Sequence, residues 1–123
     1  MGSIARLDEH KIPHTGAGGN MAAARKPVIV ERGGRRYGFL QRTSIYWPTN
    51  HAADETAPGV AALPGHKAYE APMFHYHAGN PPVNRPGIPP IVMTWADATY
   101  LSSFTDDIKS LRPQVDVLIA SCH

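Results

Sequence analysis

Nine of the twelve prolines in this 123-residue chain lie between residues 43 and 90. Proline fixes φ and lacks a backbone N–H, so a segment this rich in proline cannot form a regular helix or a central strand. The segment also holds five of the chain's aromatic side chains, a residue type in which disordered linkers are poor. We therefore predict an ordered Pro/Gly-rich insertion over 43–90, without a long helix or strand, lying on the domain surface. Trp47 and Phe74 are expected to pack against that domain.

Regular structure is expected on either side of this insertion. Apolar residues three and four positions apart predict helices over 3–11 and 99–112. The second helix takes Ser103 or a neighbour as its N-cap and packs against the last strand. Asn20 is the predicted N-cap of a short helix over 21–26. The apolar face of the 99–112 helix comprises Leu101, Phe104, Ile108 and Leu111.

Two strand signals complete the secondary structure. Two β-prone runs within 28–40 flank Gly33 and Gly34, a pattern that predicts a β-hairpin. A short strand over 91–94 precedes the long helix. The apolar run 117–120 is typical of a central parallel strand, whose carboxyl end is where α/β folds place their chemistry. Because no further element follows that strand here, we interpret residues 1–123 as a single, incomplete α/β domain within a larger protein.

Composition excludes several classes of protein. No run of 18 apolar residues is present, so no transmembrane helix is expected, and the first residues do not resemble a signal peptide. A single cysteine excludes an internal disulfide. Residues 1–42 carry a net charge of +5 and residues 43–123 a net charge of −3. The basic half favours either an anionic partner or an ordinary solvated face. Its arginines are not interleaved with aromatic residues, so no nucleic-acid partner is predicted.

The histidines are the candidate metal ligands. His75 and His77 would lie on the same side of any extended segment, and His123 follows the last apolar strand. Zinc takes three or four protein ligands. The same insertion offers four further groups that complete such a site, unless its histidines are simply exposed on a loop: His51, His66, Asp54 and Glu70. We expect His75 and His77 to face the carboxyl end of the strand that ends at His123. Three aromatic residues of the insertion are candidates for lining a substrate site: Tyr46, Trp47 and Tyr76.

Residues 16–20, with the sequence GAGGN, suggest a phosphate-binding loop or a tight turn that leads into a capped helix. They lack the Lys-Ser/Thr pair of a P-loop and the preceding strand of a dinucleotide-binding motif. We therefore favour the turn and cap. His14 is expected to hydrogen-bond the backbone. Cys122 and His123 do not form a nucleophile pair, because adjacent strand residues face opposite sides.

Three stretches in order resemble one known family. The first, 7–20, reads LDEHKIPHTGAGGN; the second, 24–40, contains ARKPVIVE and YGFL; the third, 107–123, contains DIKSLR and VDVLIASCH. They are similar to the poly-gamma-glutamate capsule-synthesis proteins, a branch of the calcineurin-like metallophosphoesterase fold. That family carries a GI-x-H-x-GAG-x-N turn, then EA-x-x-P, a hairpin, and a strand ending in HWG. The resemblance covers about 70 residues and implies a partial α/β sandwich of metallophosphoesterase type.

The resemblance also implies a function. The intact parent would bind one or two divalent metals (Mn, Zn or Fe) and hydrolyse a phosphoester or related bond, in the bacterial cell envelope. His123 matches the histidine of the HWG motif. The family's aspartate-bearing strand, asparagine-histidine motif and GH-x-H motif are not in this sequence and are expected outside it, so the chain alone should be inactive. The alternative is a non-enzymatic binding or assembly module, which pairs with the remainder of its parent or with a second copy.

Overall fold

The computed structural model describes residues 2–47, 49, 51–70 and 89–123. Within them the chain forms three α-helices and seven strands. The helices are α1 (Gly2–Glu9), α2 (Met21–Arg25) and α3 (Ala98–Leu111), the last continued by a 3-10 turn (Arg112–Gln114). The strands are β1 (Ala17–Gly18), β2 (Val28–Arg32), β3 (Arg35–Arg42), β4 (Gly59–Val60), β5 (Gly65–Glu70), β6 (Ile91–Ala96) and β7 (Val117–Cys122). The mixed α/β class predicted from the sequence is confirmed.

The main sheet has the order β2-β3-β7 in the described part of the chain. Strands β2 and β3 form the predicted hairpin, with Val28 opposite Phe39 and Arg32 opposite Arg35. Gly33 and Gly34 have φ values of 60° and 73°, which a two-residue turn matching the strand twist requires and side chains disfavour. Strand β7 runs parallel to β3, also as predicted.

One face of this sheet is covered by α3. Alternate residues of β3 point toward that helix, so Gly38, Leu40 and Arg42 are buried. Phe104 and Leu111 of α3 pack there. The core cluster consists of Leu40, Leu63, Phe104, Leu111 and Val115. Leu101, expected on the apolar face, is instead exposed, because α3 contacts the sheet mainly through its later turns. The predicted cap was also wrong: Asp97 is the N-cap and accepts hydrogen bonds from the N–H groups of Thr99 and Tyr100.

The glycine-rich turn forms a second, smaller packing centre. Gly18 in β1 pairs with Gly59 in β4, and α2 lies against this bridge. The Asn20 side chain accepts a hydrogen bond from the N–H of Ala23, which confirms the predicted turn and cap. The centre is built from small buried residues: Ala24, Ala53 and Ala61, with Met21 beside them.

The insertion takes part in the core, which the sequence did not predict. Ala53, Ala61, Ala62 and Leu63 are buried, and Leu63 belongs to the main core cluster. Backbone hydrogen bonds join Thr43 to Ala61 and Leu63. We expected surface covering because prolines surround these residues, but small side chains allow the backbone to pass close beside the end of β3.

Strands β5 and β6 form a separate antiparallel pair, with Gly65 opposite Ala96 and Glu70 opposite Ile91. The predicted strand over 91–94 is confirmed and runs two residues further. Strand β5 was not predicted, although residues 65–71 are free of proline. Residues 71–88 lie outside the described residues, so the order predicted for that part of the insertion stays a prediction.

The second face of the main sheet is apolar and only partly covered by described residues. Register places six side chains together on it: Val28, Val30, Tyr37, Phe39, Val117 and Ile119. Among the described residues β7 pairs with β3 alone, and Ile119 is 43% exposed. The expectation that residues 117–120 form a buried central strand was therefore wrong within the described residues. The strand's apolar sequence suits two covered faces, whereas Leu118 is the one residue of β7 that is partly buried and the other five are exposed among the described residues.

Candidate functional site

His123 lies at the carboxyl ends of the two parallel strands. Its backbone N–H donates to the Arg42 carbonyl at 3.0 Å. Its carbonyl oxygen accepts from the Ser44 N–H at 2.6 Å and from the Ser44 and Thr43 hydroxyls at 3.1 and 3.2 Å. These four hydrogen bonds fix the main chain of His123 beside the end of β3, where α/β folds hold their reactive groups. Its role as a metal ligand stays a prediction.

A cleft of about 640 Å³ opens at this same end of the sheet. That volume lies in the range of roughly 300–1,000 Å³ typical of small-molecule sites. The terminal strand contributes Cys122 and the end of β3 leads to Ser44, while the β5–β6 hairpin forms the other wall. The residues that border the cleft from the hairpin and the chain before it are Leu63, Pro64, Gly65, His66, Lys67, Thr94, Trp95 and Ala96.

The hairpin wall is organised around His66. Its imidazole Nε2 lies 3.2 Å from Oδ2 of Asp97 and its ring stacks on Trp95, with ring centroids 5.6 Å apart. Backbone N–H groups at the start of α3 and the hydrogen bond from His66 lower the pKa of Asp97, so this carboxyl group is ionised at neutral pH. A carboxylate only accepts hydrogen bonds, so Nε2 of His66 carries a proton and donates it. Asp97 thus fixes the orientation of both His66 and the first turn of α3.

The predicted aromatic residues have different environments. Tyr46 is half-buried, and burial first, then the charges of Tyr100 and Asp97, raise the pKa of its phenol. Tyr46 is therefore near enough to Asp97 for the charge of that carboxylate to act on its phenol. Trp47 is 71% exposed, so the expectation that it packs against the domain was wrong. Tyr76 and Phe74 lie outside the described residues.

The additional metal-ligand candidates are not gathered into one site. In the described ranges 2–47, 49, 51–70 and 89–123, no three His, Cys, Asp or Glu side chains lie close enough together to hold a metal ion. His66 is paired with Asp97. Oδ1 of Asp54 accepts hydrogen bonds from the N–H groups of Thr56 and Ala57, which lowers the pKa of its carboxyl group. His75 and His77 lie outside the described residues, so their placement stays a prediction.

A cluster of charged side chains, with Arg42 buried among them, supports the end of β3. The Arg42 side chain is 3% exposed, donates to Asp107 and to the Gln41 carbonyl, and lies 4.8 Å from the centre of the Phe104 ring. Asp107 also accepts two hydrogen bonds from Arg25, at 2.8 and 3.0 Å. Burial lowers the pKa of Arg42, whereas the hydrogen bond to Asp107 raises the pKa of Arg25. The cluster ties α2, α3 and the last residue of β3 together, immediately before Thr43 and Ser44.

Comparison with known protein families matches residues 2–123 to one family, the bacterial capsule synthesis protein family PGA_cap. The chain belongs to the PGA_cap family. This family is metallophosphoesterase-like, in agreement with the mixed α/β structure and with the position of His123 at the carboxyl end of a parallel strand. The resemblance inferred from the sequence is therefore confirmed over the whole chain. No curated protein matches the sequence.

The structure of this PGA_cap chain adds residues that sequence reasoning missed. Trp95, Asp97 and Lys67 were not candidates, and His66 was considered only as a metal ligand. Asp97 had a detectable signal, because aspartate immediately before an amphipathic helix is a preferred N-cap. Nothing in the sequence pairs His66 with Trp95 across 29 residues. Among the described residues, no helix is both long and apolar enough to cross a membrane.

The role of Asp97 predicts a pH dependence of stability. Its pKa is lowered in the folded state, so its contribution to stability is present above the unfolded pKa of about 3.9 and is lost as the pH falls through the folded value. Urea midpoints for the parent chain and Asp97→Asn should differ at pH 6, and the difference should shrink steadily below pH 4. A difference that stays constant between pH 6 and pH 3 would contradict this role. Asp54 titrates in both proteins and cancels in the comparison.

Proposed function

We propose that this chain is part of a metal-dependent, phosphoesterase-type hydrolase of capsule synthesis, and that His123 is one ligand of its divalent metal. The observation that carries the proposal is the four hydrogen bonds that hold the main chain of His123 at the carboxyl ends of β3 and β7, in a chain of the PGA_cap family. Neutral imidazole is a common ligand for divalent transition metals. Bound there, Mn, Zn or Fe would activate water for attack on phosphorus.

Three further residues of the chain would support this chemistry without touching the metal. Thr43 and Ser44 hold the His123 backbone, and the buried Arg42 holds the strand end that carries them. A divalent metal needs further ligands. In this proposal they come from residues outside those described, with His75 and His77 as candidates in this chain. We therefore propose that the isolated 123-residue chain is inactive.

A chromogenic phosphoester assay with manganese tests both parts of the proposal. The isolated chain should show no turnover above buffer. In the protein that contains this chain together with its natural flanking sequence, His123→Ala should lower turnover by about a hundredfold or more, because losing a residue that merely supports a metal ligand already costs roughly 10–100-fold. His10→Ala, at an exposed histidine just after α1, is the matched control and should retain activity. Turnover by the isolated chain that disappears in His123→Ala would refute the claim that it is inactive.

A second candidate function, assembly, rests on the apolar face of the main sheet that described residues cover only in part. Parallel strands are almost always covered on both faces. The face formed by Val28, Val30, Tyr37, Phe39, Val117 and Ile119 has the composition of a buried layer. We propose that the isolated chain covers this face with a second copy of itself.

Light scattering after size-exclusion chromatography measures this association. The isolated chain should elute with twice its 13.4 kDa mass, and Ile119→Lys should convert it to a monomer. Ile45→Lys is the control, since Ile45 is exposed and lies outside that face. A cooperatively folded monomer at all concentrations would contradict self-assembly and leave the remainder of the parent protein as the covering layer.

A further inference from the structure

Strand β6 is an open edge in the described part of the chain. It pairs with β5 on one side, and no described strand pairs with its other side. The backbone N–H and C=O groups along such an edge can form hydrogen bonds with another strand. Strands β5 and β6 make few contacts with the other described elements, and a hairpin of two strands is at best marginally stable in water. A further strand on this edge would therefore stabilise the hairpin.

The two edges of the hairpin differ in composition. Strand β5 carries Lys67 and Glu70, and charged side chains are a common protection of an edge strand. Strand β6 reads IVMTWA, with no charged residue, proline or glycine, and it is rich in the β-branched and aromatic side chains that strands prefer. Such a segment pairs readily with another strand. The β6 edge is therefore the one that favours pairing. Its exposed large apolar side chains are Ile91, Val92, Met93 and Trp95.

The sequence of β6 is complementary to itself in one antiparallel register. Directly opposite residues of an antiparallel pair share a face of the sheet, so a two-fold axis perpendicular to the sheet must pass through a residue of β6. An axis through Met93 places Ile91 opposite Trp95 of the second copy, and Val92 opposite Thr94. Aliphatic–aromatic and β-branched pairs of this kind stabilise antiparallel strands. This arrangement is the central register.

The two nearest alternative registers are less favourable. An axis through Val92 would place Pro90 opposite Thr94, and proline has no N–H to donate to the partner strand. An axis through Thr94 would place Asp97, whose carboxylate caps α3, opposite Ile91. The central register avoids both the proline and the carboxylate, and it brings no two charged side chains opposite each other across the β6 edge.

We infer that the β6 edge is a contact between two copies of this protein, in which β6 pairs with itself in the central register and the two hairpins form one four-stranded antiparallel sheet. This contact is separate from the apolar face of β2, β3 and β7, and it does not depend on the proposed hydrolase function. At most six residues of each copy take part, whereas a standard interface uses roughly 20–30 a side. The contact is therefore weak and dissociates on dilution, as during size-exclusion chromatography.

Disulfide trapping tests the register. In the 123-residue chain with Cys122→Ser, the substitution Met93→Cys places the new thiol on the axis, opposite its own copy. Directly opposite residues of antiparallel strands have Cα atoms about 4.5 or 5.5 Å apart, which a disulfide can span. With the oxidant diamide, we expect a disulfide-linked dimer to form at least about tenfold faster than in the control variant, because pairing raises the effective concentration of the two thiols.

Ile91→Cys in the same Cys122→Ser chain is the matched control. Ile91 lies on the same face of β6 as Met93 and is 57% exposed against 45%, so its thiol is at least as accessible. In the central register it lies four residues along the strand from its own copy, which at roughly 3.4 Å per residue is beyond the reach of a disulfide. Equal rates for the two variants would overturn the inference and would mean that another part of the parent protein covers this edge.

Two further measurements assign the effect to the β6 edge. A mixture of Val92→Cys and Thr94→Cys chains should form a disulfide between the two variants faster than either variant forms one with itself, because these positions lie opposite each other. Ile119→Lys added to Met93→Cys should leave the trapping rate unchanged, which separates this contact from association through the main sheet. Loss of trapping in that chain, shown to be folded by circular dichroism, would overturn the inference.

Discussion

Asp107→Ala is expected to lower the free energy of unfolding by about 3 kcal/mol, because it leaves the buried Arg42 guanidinium without its carboxylate. Arg42 retains its hydrogen bond to the Gln41 carbonyl and its contact with Phe104, but neither neutralises the charge. The loss is a large part of the roughly 5–15 kcal/mol that stabilises a typical domain. Urea unfolding followed by circular dichroism measures it.

Two comparisons isolate the cause. Asp106→Ala removes the neighbouring carboxylate, whose side chain is exposed and 3.9 Å from Lys109, and should change stability by less than about 0.5 kcal/mol. Arg42→Met keeps an apolar stem over Phe104 and leaves Asp107 paired with Arg25, so it should cost less than Asp107→Ala. If Arg42→Met proves the more damaging of the two, the unpaired charge is not the cause.

Gly18→Ala is expected to destabilise the fold by at least about 3 kcal/mol or to prevent folding. A Cβ atom at Gly18 would lie 2.5 Å from the carbonyl carbon of Ala23, in the backbone of α2. Overpacking against side chains costs roughly 1–3 kcal/mol, and a backbone obstacle cannot rotate away. Thermal unfolding and soluble yield report the effect.

The control for this substitution is Gly65→Ala. Gly65 begins β5, and its φ is not in the left-handed region. A Cβ atom added there would meet nothing within 4 Å. The Gly65→Ala chain should therefore retain the parent stability. A Gly18→Ala chain as stable as Gly65→Ala would show that α2 can move away from the β1–β4 bridge, and the close packing of the GAGGN turn would not be what requires glycine there.

The local elements were readable from the sequence because each depends on neighbours in the chain. Gly33 and Gly34 between β-prone runs indicated the hairpin, and Asn20 capped α2 as expected. The spacing of Phe104, Ile108 and Leu111 indicated α3. The same holds for the family: the motifs in 7–20 and 107–123 are contiguous, and the PGA_cap match over residues 2–123 confirmed the family that they indicated.

Other features depend on contacts between residues far apart in the sequence, which the spacing of apolar residues does not encode. Arg42 occupies a core-facing position of β3 and is tolerated there because Asp107, 65 residues later, meets it. Residues 61–63 enter the core because alanines beside Thr43 let two backbones approach, although the surrounding prolines suggested a surface loop.

The cleft shows the division most clearly. The sequence alone identified a histidine at the end of a parallel strand, and it indicated His66 only as a candidate metal ligand. Only the pairing of β5 with β6 brings Trp95 onto His66, and only the start of α3 brings Asp97 to its imidazole. Trp47 was expected to pack and is exposed instead, while Trp95 borders the cleft. Side-chain direction within an irregular or paired segment depends on what lies across from it, and that partner is fixed by the tertiary fold.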